Sequence, residues 1–172
     1  TPDGTKGYVG NSLSDTVSVI DIATNTVINN ISLPAGAGPY GTSILPNGKT
    51  VYVANVYNNS ISVIDVATDT IVTTILLTPG SGPFWLAATP DNKTVYVANS
   101  FDVTPIDVAT NIAGAAIANA SGTIQDLVIS PDPAPIANFV VTRAPAGSPT
   151  AFDASSSLSP IGTIVSYAWD FG

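Results

Sequence analysis

Apolar residues along the chain come in short runs bounded by Gly, Pro, Asn, Asp and Ser, without the three-to-four spacing of an amphipathic helix. Near the middle, the runs predict four strands: a at Tyr40–Leu45, b at Thr50–Asn55, c at Ser60–Val66 and d at Thr70–Leu77. Pro46-Asn47-Gly48-Lys49 reads as a tight turn, because Pro presets φ and Asn-Gly accepts positive φ. The stretch from Asp65 to Asp69 reads as a second turn, where short polar side chains cap backbone N–H groups. Pro79-Gly80-Ser81-Gly82-Pro83 links strand d to the next apolar run. The strands are nearly continuous in Val, Ile, Ala and Tyr instead of alternating apolar with polar. That predicts sheets covered on both faces.

The four-strand unit repeats. Thr1–Asn11 recurs as Leu45–Asn55 and again as Thr89–Asn99, at an offset of 44 residues both times. Val17–Asn25 returns as Ile61–Asp69 and, two residues early, as Val103–Asn111. A fourth unit begins with a strand a at about 124–130 and breaks off at Asp132. A unit of about 40–50 residues with four strands has the length of a β-propeller blade. The third unit is degenerate. Pro105 costs a ladder hydrogen bond in strand c, and Gly114–Ala118 makes a weak strand d.

The series Pro-Asp-Gly-Lys-x-Val-Tyr-Val-x-Asn, then Ser-Val-Ile-Asp-x-Ala-Thr-Asn, resembles the YVTN family of β-propeller repeats. Val51–Asn55 and Val95–Asn99 carry the motif that names it. The resemblance covers residues 1–132. Beyond the Pro-rich linker Pro131–Pro135, the chain carries Ala151–Ser157, Gly162-Thr163-Ile164 and Tyr167-Ala168-Trp169-Asp170-Phe171-Gly172. Residues 133–172 thereby resemble the first half of a PKD domain, an immunoglobulin-like sandwich whose full length is roughly 80–100 residues. Together the resemblances imply an all-β chain: three four-stranded blades of a partial propeller, then a partial immunoglobulin-like β-sandwich. They also imply an extracellular protein of an archaeal or bacterial cell surface, structural or interactive in role and not an enzyme.

Composition narrows the chemistry. The 172 residues are 45% apolar and 9% charged, which is the signature of a folded chain. Val, Ile and Thr make up about a third of it, which favours strands. There is no His, Cys, Met or Glu. The usual ligands of zinc, copper, haem and iron–sulfur clusters are therefore missing, as are Ser–His and Cys nucleophile systems. A net charge of −8, with Lys6, Lys49, Lys93 and Arg143 dispersed, argues against nucleic acid as a partner. No apolar run approaches a membrane span. No cofactor is expected. Calcium is the one ion that Asp153 and Asp170 of the sandwich motif would suit, and no dense Asp-x-Asp-x-Asp loop accompanies them.

A closed propeller needs roughly four to eight blades, and three are read here. Each uncovered blade face would expose roughly 400–600 Å², more than a monomer usually leaves bare. Covering both would contribute on the order of 10 kcal/mol at ~25 cal/mol/Å². Three explanations stand side by side: further blades in a longer chain, copies of the same chain completing one another, or a different protein supplying the missing parts.

Candidate sites are few. The strand-a entrances of a propeller surround one mouth of its channel. Alignment on Pro46, Pro90 and Pro131 puts Tyr40 with Phe84 and Gln125. It also puts Trp85 and Asp126 at the position of Gly41. Tyr40, Phe84, Trp85 and Asp126 are thus the candidate contacts for a glycan or a cell-envelope protein, against an alternative role in packing. The repeated Asp21, Asp65 and Asp107 read as turn caps, and Tyr8, Tyr52 and Tyr96 as packing residues. Asn30, Asn58, Asn92 and Asn119 open Asn-x-Ser/Thr sequons, candidate glycosylation sites. Composition alone predicts about three such triplets.

Overall fold

The computed structural model of the protein describes residues 1–118, 124, 126–130, 140–142 and 151–157. The chain divides into two compact units, Thr1–Ile129 and Ser130–Gly172. Among the described residues every regular element is a strand, and all pairings are antiparallel.

The first unit is built from three sheets. β1 (Lys6–Asn11), β2 (Thr16–Asp21) and β3 (Thr26–Ser32) form the first, in that order. The second contains β4 (Pro39–Ile44), β5 (Thr50–Asn55), β6 (Ser60–Asp65) and β7 (Thr70–Leu76), again in chain order. These four strands match the expected a to d to within a residue or so at each end. The third contains β8 (Trp85–Ala88), β9 (Thr94–Ala98) and β10 (Asp102–Asp107), with two short strands, β11 (Ile112–Ala113) and β12 (Ile117–Ala118), both paired with β10. Strands b and c pair in the same register in the first two sheets, Tyr8 opposite Val19 and Tyr52 opposite Val63. A bulge between c and d also recurs, at Val19/Ile20 and Val63/Ile64, where it adds local twist.

The third sheet departs from the pattern at its outer edge. Within a strand, the carbonyl and N–H of one residue point the same way. The Pro105 carbonyl accepts from Gly114 N at 2.8 Å, so the donor that Pro105 lacks would have faced strand d. Strand d breaks at that place into β11 and β12. The expected first strand of a fourth unit is not found. Ile124 and residues 126–130 form no strand, and the sequence after them offers no strand b for such a segment to pair with.

The core lies between sheets, not within them. One cluster joins Val17, Val19 and Ile31 of the first sheet to Val51, Val53 and Ile64 of the second. The other joins Tyr52, Ile61 and Val63 of the second to Val95, Val97 and Ile106 of the third. The middle sheet is therefore apolar on both faces, as its near-continuous strands foretold. Its β6 is buried at five of six positions.

In the second unit, β13 (Val140–Thr142) pairs with β14 (Ala151–Asp153). Asp153 Oδ1 accepts from Ser155 N at 2.8 Å. The remaining sandwich motifs, with Trp169 and Asp170, lie outside the described residues.

Candidate functional site

Two kinds of polar fastener hold neighbouring sheets together, and both use Asx residues in the left-handed region. Asn25, Asp69 and Asn111 occupy one repeat position, the end of the c–d turn, with φ of 54°, 52° and 54°. Asn and Asp tolerate this conformation best among residues with a Cβ. Tyr8 of the first sheet donates its hydroxyl to Asp69 Oδ1 of the second at 2.6 Å. Tyr52 of the second sheet donates to Asn111 Oδ1 of the third at 2.8 Å. Lys6 adds a salt bridge to Asp69 at 2.8 Å and a bond to the Val66 carbonyl at 3.0 Å. Burial, then the Asp69 hydrogen bond and charge, hold the Tyr8 phenol well above its ordinary range. Burial and the Asp107 charge raise Tyr52 as well. Tyr8 and Tyr52 do pack, as their pattern predicts, whereas Tyr96, on the outward side of the third sheet, joins neither core cluster. The hydroxyl latch of Tyr8 and Tyr52 has no counterpart in the sequence pattern, because its acceptor lies about 60 residues away and reads as an ordinary turn residue.

The second fastener holds the link between sheets. Asp15 (φ 51°) accepts from Gly36 N at 2.7 Å and Gly38 N at 2.8 Å, and these bonds lower its carboxyl below the ordinary value. Asn59 (φ 53°), at the equivalent place, accepts from Gly82 N at 3.0 Å. The third repeat is two residues shorter in this turn, running Asn99-Ser100-Phe101-Asp102. The clasp residue is what the shortening removes.

Within each sheet the Asn that ends strand b pins strand c. Asn11 Nδ2 donates to Thr16 and Ser18, Asn55 Nδ2 to Ser60 and Ser62, and Asn99 Nδ2 to Asp102 and Thr104. Asn55 and Asn99 are fully buried. The Asp caps behave as expected. Asp21, Asp65 and Asp107 each accept from the N–H and hydroxyl of a Thr three residues on, and these bonds lower all three carboxyls. Each carboxylate is committed to its own turn, so none is placed as one half of an acid–base couple. Among the described residues no cluster of three His, Cys, Asp or Glu exists, and no helix is long and apolar enough to cross a membrane.

The aromatic candidates fall at the inner strands. Tyr40 and Phe84 meet edge to face, with ring centroids 5.4 Å apart and planes at 70°. Tyr40 is 45% exposed and its neighbour in this row, Trp85, 43%. Gly41 explains why these rings can sit there. Its N–H donates to the Phe84 carbonyl at 2.9 Å, and a Cβ would stand 2.3 Å from that oxygen. Glycine is required wherever the next inner strand comes this close. Trp85 takes the same repeat position and leaves its indole half open. Asp126 is exposed, lies outside any strand and accepts from its neighbour Leu127 N at 2.7 Å. The structure thus groups Tyr40, Phe84 and Trp85 and gives Asp126 no described contact with them.

The sequons differ in their surroundings. Asn30 is exposed in β3 and accepts from Ser18 Oγ at 2.8 Å. Asn58 accepts from Ser60 Oγ at 2.7 Å, and that sequon serine is fully buried. Asn92 (φ 60°) accepts from Asn47 N at 2.8 Å, bridging two hairpin tips. Asn119 lies outside the described residues.

No protein-family model matches the chain, and no curated protein matches it. Among solved structures, a chain of Kuenenia stuttgartiensis hydrazine synthase is similar, with a TM-score of 0.72 and 24% identity over 91% of this chain. This chain spans 44% of the length of that one. At this identity the likeness concerns the fold alone: an all-β protein of antiparallel, propeller-like blades.

Proposed function

We propose that the protein is a non-enzymatic, extracellular cell-surface protein whose work is structural, carried out through blade stacking. On this reading the blades are of the YVTN surface-layer type, and residues 133–172 begin a PKD-like sandwich, as their motifs suggest. One observation carries it. Val9 of the first sheet is 45% exposed, whereas its repeat equivalent Val53 is 0% exposed against a neighbouring blade. The first blade thus presents a face of the kind that the second one buries. The blades join neighbours through repeated apolar faces and repeated latches, with Asp21, Asp65 and Asp107 spent on their own turns and Asp15 and Asp69 on fastening one sheet to the next. Such a surface suits a layer or filament partner, whether further blades, copies of the chain or an envelope protein.

Immunogold labelling of intact cells, with negative-stain microscopy of the purified protein, tests this reading. Surface label and ordered polymers are expected. Label confined to the cell interior would overturn it. A second reading rests on the half-exposed Tyr40 and Trp85: adhesion to a glycan or protein at the inner-strand mouth. Binding on a glycan array that is lost in Trp85→Ala, with folding intact, would favour that reading. Lost stability without any binding change would assign Trp85 to packing.

A further inference from the structure

The latch has a donor side and an acceptor side, and the outer sheets each carry one half. Among the described residues none pairs with the Tyr96 hydroxyl of the third sheet or the Asn25 side chain of the first. We propose that the outward face of the β1–β2–β3 sheet is a docking site for the third sheet of a second copy of this chain. Tyr96 of one copy donates to Asn25 of the other, repeating the Tyr8–Asp69 and Tyr52–Asn111 bonds. The proposal deepens the structural reading above and rests on it.

Repeat equivalence supports the register. Asn25 already holds the left-handed φ of 54° that Asp69 and Asn111 have when they accept. Val9, Ile22 and Val27 are 45%, 46% and 56% exposed on the first sheet. Their equivalents Val53, Val66 and Ile71 all belong to or pack on the cluster shared with the preceding sheet. On the third sheet, Val103 and Pro105 are only partly buried, whereas their equivalents Ile61 and Val63 are 0% and 2% exposed. An open groove of about 330 Å³ beside Pro105 and Ile112 marks the same outward side. The docking uses the same faces and the same latch positions as the interface that the chain makes twice internally.

The chain has no cysteine, which makes cross-linking clean. Thr94→Cys and Thr26→Cys flank the two halves of the latch. The variants, mixed at about 100 µM and treated with a short bis-maleimide, should yield a two-chain product, as expected for an interface at the small end of the stable range. One chain carrying Lys6→Cys and Thr70→Cys, the internal equivalent, is the positive control. Tyr96→Phe should weaken association by about 3- to 10-fold in sedimentation, the worth of one hydrogen bond. Val9→Asp, at an exposed position, should weaken it more than 10-fold while leaving the strand signal in circular dichroism unchanged. A monomer at about 100 µM overturns the proposal, and the surface reading is then judged on cell labelling alone. An oligomer in which only the control pair cross-links also overturns it, and leaves assembly standing by another face.

Discussion

Six residues other than glycine hold positive φ among the described residues, and all six are Asn or Asp. Their shared conformation aims a side-chain oxygen away from its own turn. At five of these positions that oxygen reaches another part of the chain: Asp15, Asn59, Asp69, Asn92 and Asn111. Tyr52→Phe should therefore cost about 1–2 kcal/mol in urea denaturation, because the buried ring keeps its packing while the Asn111 oxygen loses its donor. Hydrogen-bonded carboxyls in the turns add a pH dependence. Asp15, Asp21, Asp65 and Asp107 all titrate below the ordinary 3.8 in the folded chain. A carboxyl depressed on folding contributes stability that is fully present above its unfolded value and is lost as pH falls through the folded one. The melting temperature should be flat above about pH 5 and fall below about pH 4. Asp15→Asn keeps an acceptor, as Asn59 does, and should make the fall shallower in a melting series across pH.

At the scale of elements, close approach of neighbouring strands decides what a position tolerates. Gly41→Ala places a Cβ 2.3 Å from the Phe84 carbonyl, and the nearest atoms it meets are all backbone of Phe84 and Trp85, with no flexible side chain to yield. A loss of about 2–4 kcal/mol in chemical denaturation is expected. Gly36→Ala is the control, with a φ of 74° and open space around it, and should cost only about 1 kcal/mol. Pro105→Val should restore the donor facing strand d and slow hydrogen exchange across residues 112–117, read by mass spectrometry. Strands b, c and d were legible because their apolar runs end in turn residues, and the weakness of the third strand d was legible in Pro105. The clasp by Asp15 and Asn59 was not legible. Its signal was a two-residue shortening in the third repeat, which reads as drift until the side chain it removes is seen holding a Gly N–H.

For the molecule as a whole, the offset of 44 residues made the architecture readable, since one repeat explains three sheets. The same period could not reveal which face of each sheet meets which neighbour, because continuous apolar strands look alike from both sides. The Tyr-to-Asx latch supplies that direction. A site was harder to read. Tyr40 and Phe84 do meet, but only because Gly41 lets two inner strands approach, and Asp126 was placed by an alignment that assumed a strand that the described residues there do not form. The repeat therefore carried the fold well, and carried a site only where backbone register was kept.

The Tyr8–Asp69 and Tyr52–Asn111 latches each join one sheet only to the next. Pulled from its two ends, such a series has no latch among the described residues that spans the whole, and should give way link by link. Stretched in an optical trap, the chain should lengthen in sawtooth steps of about 150 Å, one repeat of 44 residues drawn out at a time. The rupture force should drop for Tyr52→Phe at one step and not at the others. A layer built this way would absorb strain in instalments, shedding a blade before it tears.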